Sequence, residues 1–232
     1  MNANFADWRP VPLPVPVTLT GRWVTLEPLS AERHIDALWL AVDGHDEVWD
    51  YLGDGPYRTK ADLAAALAAK ETGAAARFFA IVPAGSPGAV GYASLMRMDP
   101  QNGVIEVGNV MFSPVLQRTP AATEAMFLMA RHVFDDLGYR RYEWKCNALN
   151  LPSRRAAQRL GFTFEGIFRQ HMVIKGQNRD TAWFAMLDCE WPSIKQAFEA
   201  WLRPENFDAE GRQKQTLADL RGGGDEQGKV GL

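Results

Sequence analysis

The apolar residues of this chain recur with two periods, and the changes between them divide it into elements. From Thr18 to Leu29, Thr, Val and Leu alternate with other residues, which predicts a first strand. Ser30 stands before a stripe of Ile35, Leu38, Trp39 and Val42, the spacing of a capped helix with one apolar face. Asp43 to Pro56 reads as a loop that carries Trp49 and Tyr51. Thr59 and Asp62 form a capping pair ahead of Leu63 and Leu67, so a second helix runs to about Thr72. Three strands follow, at Arg77–Val82, Val90–Met98 and Val104–Phe112. The turns between them, Pro83–Gly88 and Asp99–Gly103, are short enough for an antiparallel meander. Met126, Met129, Val133 and Leu137 place a long helix from Pro120 to about Leu137, closed by Gly138. Arg141–Asn147 reads as a strand. Asn150 and Ser153 open a short helix that Gly161 ends. Phe162–Val173 and Asp180–Cys189 predict a hairpin around K-G-Q-N, and Pro192 opens a last helix with Ile194, Phe198, Trp201 and Leu202 on one face.

The resulting order, β-α-α-β-β-β-α-β-α-β-β-α, predicts an α/β fold in which an antiparallel meander is followed by strand–helix–strand–helix. It gives a mixed sheet with helices packed on it. Residues 1–16 carry Pro10, Pro12, Pro14 and Pro16 and predict an extended arm. The main domain is expected over residues 17–203 and a polar, mobile tail over 204–232, ending in R-G-G-G-D-E-Q-G-K.

Composition narrows the function by exclusion. With 47% hydrophobic residues in 232, the chain has enough apolar material for a full core. A net charge of −3 and a pI near 5.8 offer no global reason to bind nucleic acid or an anionic membrane. Cys146 and Cys189 are too few for a disulfide framework, and the four histidines have no metal-ligand spacing. No apolar run approaches the roughly 20 residues that cross a bilayer, and the N-terminus lacks the pattern of a signal peptide. A cytoplasmic location is therefore expected, with no metal.

The stretch with the clearest chemistry is Ser113–Glu124, S-P-V-L-Q-R-T-P-A-A-T-E, where a strand gives way to a helix. Such a join offers free backbone N–H groups at the positive end of a helix dipole, and Ala121 and Ala122 allow close approach to an anion. Several ordered motifs surround it: Gln117-Arg118-Thr119-Pro120-Ala121-Ala122, Ala122-Thr123-Glu124-Ala125, Asn150 with Ser153, Leu160-Gly161-Phe162, Glu165-Gly166, Gly176 to Asp180, and Glu190-Trp191. Together, over roughly Leu19 to Trp191, they resemble the GCN5-related N-acetyltransferases, and more closely their ribosomal-protein N-acetyltransferase branch. The first of these motifs matches the family's Gln/Arg-x-x-Gly-x-Gly/Ala signature except that Pro120 replaces the central glycine. Proline has no N–H, so one donor of the family's phosphate site is missing.

The resemblance implies acetyl-CoA as donor and a primary amine as acceptor, either a protein N-terminus or a small molecule. It implies a co-substrate site at Met111, Phe112, Ser113, Gln117, Arg118, Thr119, Ala121, Ala122, Thr123, Asn150 and Ser153. Direct aminolysis of a thioester needs a neutral amine, a polarised carbonyl and a protonated leaving thiolate. Glu106, just before the loop, is the candidate base, Ser153 the candidate partner of the thiolate, and His171 a second candidate base. Each also has a plain reading: a solvated glutamate, a helix cap and a structural histidine. The tyrosine acid of other branches would fall at Ala157, and the branch's glutamate near His171 is Met172. Trp49, Tyr51 and Asn109 are the candidate acceptor contacts. Arg154, Arg155 and Arg159 are further candidates for the co-substrate's phosphates, and Cys146 is read as a buried strand residue. The oligomeric state stays open between monomer and homodimer. A CoA-binding scaffold that has lost turnover is the alternative, motivated by Pro120 and Met172.

Overall fold

The computed structural model describes residues 6–222. One eight-stranded sheet organises the chain: β1 (Leu19–Thr20), β2 (Val24–Pro28), β3 (Ala76–Pro83), β4 (Gly91–Asp99), β5 (Val104–Phe112), β6 (Arg141–Asn147), β7 (Thr163–Ile174) and β8 (Gln177–Leu187). Their order across the sheet is β1-β2-β3-β4-β5-β6-β8-β7. Every neighbouring pair is antiparallel except β5 and β6, whose connection passes through α3 (Pro120–Arg131). A parallel pair needs such a crossover, and this single crossover lies at the centre of the sheet.

The helices divide between the two faces. α3 and α5 (Trp191–Trp201) cover one face over Leu95, Ile105, Val107, Tyr142, Trp144 and Phe184. α1 (Ala31–Val42) and α2 (Lys60–Thr72) cover the other over Ala80, Tyr92 and Met111. The capping pair of α2 is formed as expected: Thr59 accepts from the N–H of Asp62, whose carboxylate accepts from the N–H of Thr59. α4 (Leu151–Arg159) follows β6.

The structure departs from the sequence pattern at three places. The first predicted strand is two, β1 and β2, because the chain turns at Gly21. There the Glu124 carboxylate accepts hydrogen bonds from the N–H groups of Arg22, Trp23 and Val24. A Cβ on Gly21 would lie 2.3 Å from Glu124 Oε2, so a larger residue there would displace that carboxylate. The long helix is α-helical only to Arg131 and ends in a π turn over His132–Asp136, with Gly138 at φ +73° beyond it.

The third departure concerns the tail. Residues 204–222 pack on the domain. Phe207 sits edge-on to both Trp23 and Trp201, and Leu217, 1% exposed, opens a short helix α6 (Leu217–Leu220). The sequence from 223 onward lies outside the described residues. The proline arm runs along the domain: Trp8 Nε1 donates to the Gln101 carbonyl, Val11 N–H to that of Pro100, and Arg77 Nε to that of Pro14.

Candidate active site

Two bulges and one short parallel ladder shape the centre of the sheet. β5 and β6 pair only from Val104↔Arg141 to Val107↔Trp144. Beyond that point their facing edges, Gly108–Phe112 and Lys145–Asn147, have no ladder between them. Asn109 is the reason on the β5 side. Between Ser94↔Gly108 and Tyr92↔Met111, β5 has one more residue than β4, and Asn109 takes it up in the left-handed region at φ +50°. Its side-chain amide donates to Ser94 Oγ at 3.0 Å, which holds the bulge in place. The strand bends away from β6 and leaves a cleft edged by backbone N–H and C=O groups that have no ladder partners.

The helix end of this cleft is the expected anion site. Thr119 caps α3: its hydroxyl accepts from the N–H of Ala122 and donates to the carbonyl of Leu116. Of the loop donors expected to face a ligand, that of Ala122 is therefore engaged within the chain, and that of Thr123 bonds to the Thr119 carbonyl. The N–H groups of Arg118, Thr119 and Ala121 remain, with Arg118 at φ +61°. The Gln117 amide donates to the Phe112 carbonyl and ties the loop to the end of β5. Met111 and Ser113 are buried and Phe112 half-buried along the cleft. Arg159 reaches the same helix start, donating to Thr123 Oγ1 at 3.1 Å. Arg154 bonds to the Ala148 carbonyl instead, and Arg155 is exposed on α4. These donors fit the phosphates of an acyl-CoA, and the splayed edges fit its amide-bearing arm.

On the opposite wall, Asn150 caps α4 by accepting from the N–H of Ser153. Ser153 Oγ accepts from the indole N–H of Trp144 at 3.0 Å, and its hydroxyl also bonds to the neighbouring Cys146 sulfur. Cys146 is buried beside it, and burial pushes its thiol above the ordinary value. Ala157, at the position of the missing tyrosine, is fully buried.

Past the cleft, α1 and α2 cover only the β2–β5 half of their face. On the β6–β8–β7 half the sheet carries a groove-side cluster of charged side chains, Glu106, Glu143 and Lys145 among them, that is largely buried. Glu106, 5% exposed, lies with Oε2 2.9 Å from Lys145 Nζ and 3.3 Å from Arg97 Nε, contacts that are ionic rather than well-directed hydrogen bonds. A second bulge, at Arg97 with φ +47°, aims that guanidinium at the carboxylate. Lys145 also pairs with Glu143, which Arg141 shares with Glu165. Burial raises the Glu106 carboxyl above the usual range, while Lys145 and Arg97 hold it back. His171 is brought inward by a bulge in β7 and lies with Nδ1 2.9 Å from Thr181 Oγ1. Burial and the charges of Arg97, Arg179 and Lys145 lower its pKa, favouring the neutral ring.

Two contacts bridge the groove. Lys175, at the tip of the β7–β8 hairpin, donates to the Trp49 carbonyl at 2.8 Å, and the Tyr51 hydroxyl donates to the Leu149 carbonyl. The Trp49 side chain itself is a correction to the sequence reading. It is 2% exposed, packs edge-on to Tyr57 and leaves no room for a Cβ on Gly55, so it is core and only its carbonyl faces the hairpin. Tyr51 is exposed at the rim. Asn109 lines a cavity of about 440 Å³ together with Asp54, Tyr57, Lys70, Phe78 and Met96. Sequence reasoning missed Lys145, Arg97, Arg179 and Lys175. The alternation of Glu143 and Lys145 with apolar neighbours in β6 was the available signal for the first of these.

A mixed sheet split at its one parallel step, with a helix N-terminus at one end of the split and buried titratable groups at the other, suits an acyl-CoA-dependent transferase. Residues 24–163 match the acetyltransferase (GNAT) domain model. The chain belongs to this family of acetyltransferases. A GCN5-related N-acetyltransferase from Brucella melitensis is 51% identical over 93% of this chain and 98% of its own, with a TM-score of 0.91. A probable acetyltransferase of the same family from Chromobacterium violaceum is 40% identical over 83% of this chain and 96% of its own, with a TM-score of 0.77. The Salmonella typhimurium acetyl transferase that modifies the N-terminal serine of a 50S ribosomal protein shares the fold, at 19% identity over 72% of this chain and 96% of its own, with a TM-score of 0.62. No protein of curated function matches the chain.

Proposed function

We propose that this protein transfers the acetyl group of acetyl-CoA to a primary amine by direct attack of the amine on the thioester. The observation that carries the reading is the cleft between Gly108–Phe112 and Lys145–Asn147, which joins the loop donors of α3 to Glu106 across one sheet. The amine nitrogen forms a bond to the acetyl carbon, the carbon–sulfur bond breaks, and the thiolate leaves. Glu106 takes the proton lost by the amine, directly or through a water. It suits that role because burial lifts its pKa toward the working range. It also sits on β5 beside the cleft, whereas His171 is on β7, three positions across the sheet. The Ser153 hydroxyl turns from Cys146 to hydrogen-bond the departing sulfur and keeps its proton, and the thiolate takes its proton from solvent. No enzyme-bound acyl group is needed, so Cys146 has no covalent part. Resemblance to the ribosomal-protein branch favours an acceptor such as a peptide N-terminus, and a small amine fits the same chemistry. Calorimetry with acetyl-CoA, against CoA and ATP, followed by thiol release with a panel of amines, tests the reading. Binding selective for acetyl-CoA and amine-dependent thiol release are expected; their joint absence refutes it.

A further inference from the structure

The groove around Glu106 is not electrically balanced. The groups facing Glu106 are Arg97 on β4, Lys145 and Glu143 on β6, Arg179 on β8 and His171 on β7. Arg97 and Lys145 pair with Glu106, Lys145 also with Glu143, and Arg141 with Glu143 and Glu165. Each of those cations meets a carboxylate. Arg179 forms no ion pair among the described residues, and its Nε–H is buried without an acceptor. Four residues along the same strand, and on the same face of it, the indole N–H of Trp183 is also buried without an acceptor. Trp183 lies beneath Lys145 Nζ, 3.7 Å from the ring centroid, and stacks on Phe168 with centroids 4.4 Å apart. Between the two orphan donors, Thr181 is occupied by His171.

Buried donors without acceptors destabilise the fold, an arginine most of all, unless a ligand supplies the oxygen. An arginine without a carboxylate partner, beside a cluster with excess positive charge, suits a carboxylate. The phosphates of the co-substrate have their own donors at the α3 loop, on the far side of the cleft. Building on the acetyl-transfer reading, we infer that the acceptor is a carboxylate-bearing amine, and that Arg179 binds its carboxylate on the open face of β8. Arg179 selects among acceptors and is not part of the chemistry at the thioester.

The test uses the full chain with two readouts. α-Amino acids, β-alanine and 4-aminobutyrate are each compared with their carboxamides, by calorimetric titration into the protein–CoA complex and by thiol release from acetyl-CoA. At least one carboxylate is expected to bind tenfold or more tightly than its amide and to show the same preference in kcat/KM, carried by KM. Arg179→Gln is expected to bring the carboxylate-to-amide ratio close to one, and Arg179→Lys to restore part of it, which a merely structural role would not do. The inference is overturned if no carboxylate is preferred by either readout, or if Arg179→Gln lowers kcat for acid and amide alike and leaves their ratio unchanged. Turnover of amines without a carboxylate preference removes this inference and leaves acetyl transfer standing. Preferential carboxylate binding that Arg179→Gln abolishes, without any thiol release, keeps the carboxylate site on β8 but refutes acetyl transfer and with it the role of that ligand as acceptor.

Discussion

Lys145 Nζ lies 2.9 Å from Glu106 Oε2 across the parallel pair β5–β6, and each side chain is 6% exposed. Neither position is next to the other in sequence. The α3 crossover and the Glu106↔Glu143 register bring Lys145, two residues beyond Glu143, against the carboxylate. In this setting the lysine holds down a pKa that burial raises. Lys145→Met is therefore expected to move the acidic limb of the pH–rate profile to higher pH. With the base ionised only above that limb, activity is lost as pH falls through it. Breaking a buried pair also costs about 3–5 kcal/mol of stability. The profile is measured by thiol release, with a denaturation curve on the same sample. An unmoved limb, or an unchanged profile in Glu106→Gln, removes Glu106 as the base.

Glu124 belongs to the A-T-E-A run, yet its carboxylate serves the β1–β2 turn. Glu124→Ala leaves three backbone N–H groups without their charged acceptor, a loss of about 2–4 kcal/mol. Gly21→Ala should destabilise by a similar amount, because the added methyl meets the same carboxylate. Urea unfolding reads both. The double variant is expected to fall short of the sum of the two, since the groups touch.

Pro120 occupies the first turn of α3, where a residue with an N–H would add a donor facing outward. Pro120→Ala is expected to tighten acetyl-CoA binding by up to about tenfold, the effect of one charge-assisted hydrogen bond partly offset by a looser loop. Calorimetry decides; unchanged affinity means that the phosphates lie off the helix axis, nearer Arg118 and Arg159.

Ser153 accepts from a buried indole, so its removal has two consequences that separate in measurement. Ser153→Ala should cost about 1 kcal/mol of stability through Trp144. It should also lower kcat tenfold or more, with little change in acetyl-CoA affinity, if the hydroxyl assists the thiolate. Equal turnover in wild type and variant limits Ser153 to capping α4 and anchoring Trp144.

Leu217 ties the C-terminal segment to α5. Leu217→Ala is expected to destabilise the whole domain by about 2–5 kcal/mol, as for a leucine in any well-packed core. A chain ending at Arg203 should unfold at lower denaturant than the full chain. Equal midpoints would mean that residues 204–222 dock without contributing.

Much of the architecture was written in local pattern. The capping pair Thr59 and Asp62, the apolar stripes of α1 and α5, and the turn residues of the meander each act over a few positions, so the element order follows from the chain read in sequence. So does the loop that opens α3, because helix-end donors depend on three or four neighbouring residues. Other features depend on residues far apart. The Asn109 bulge that opens the cleft rests on Ser94 in the adjoining strand, and Glu106 acquires its environment from β4 and β6. Trp49, placed in a polar loop by its neighbours, is drawn into the core beneath α2, and Leu217, in a polar tail, is drawn onto α5. Backbone propensity and capping are local energies that a sequence states directly. Burial, ion pairing across strands and the loss of a ladder between β5 and β6 are energies of packing, fixed only when the sheet is assembled.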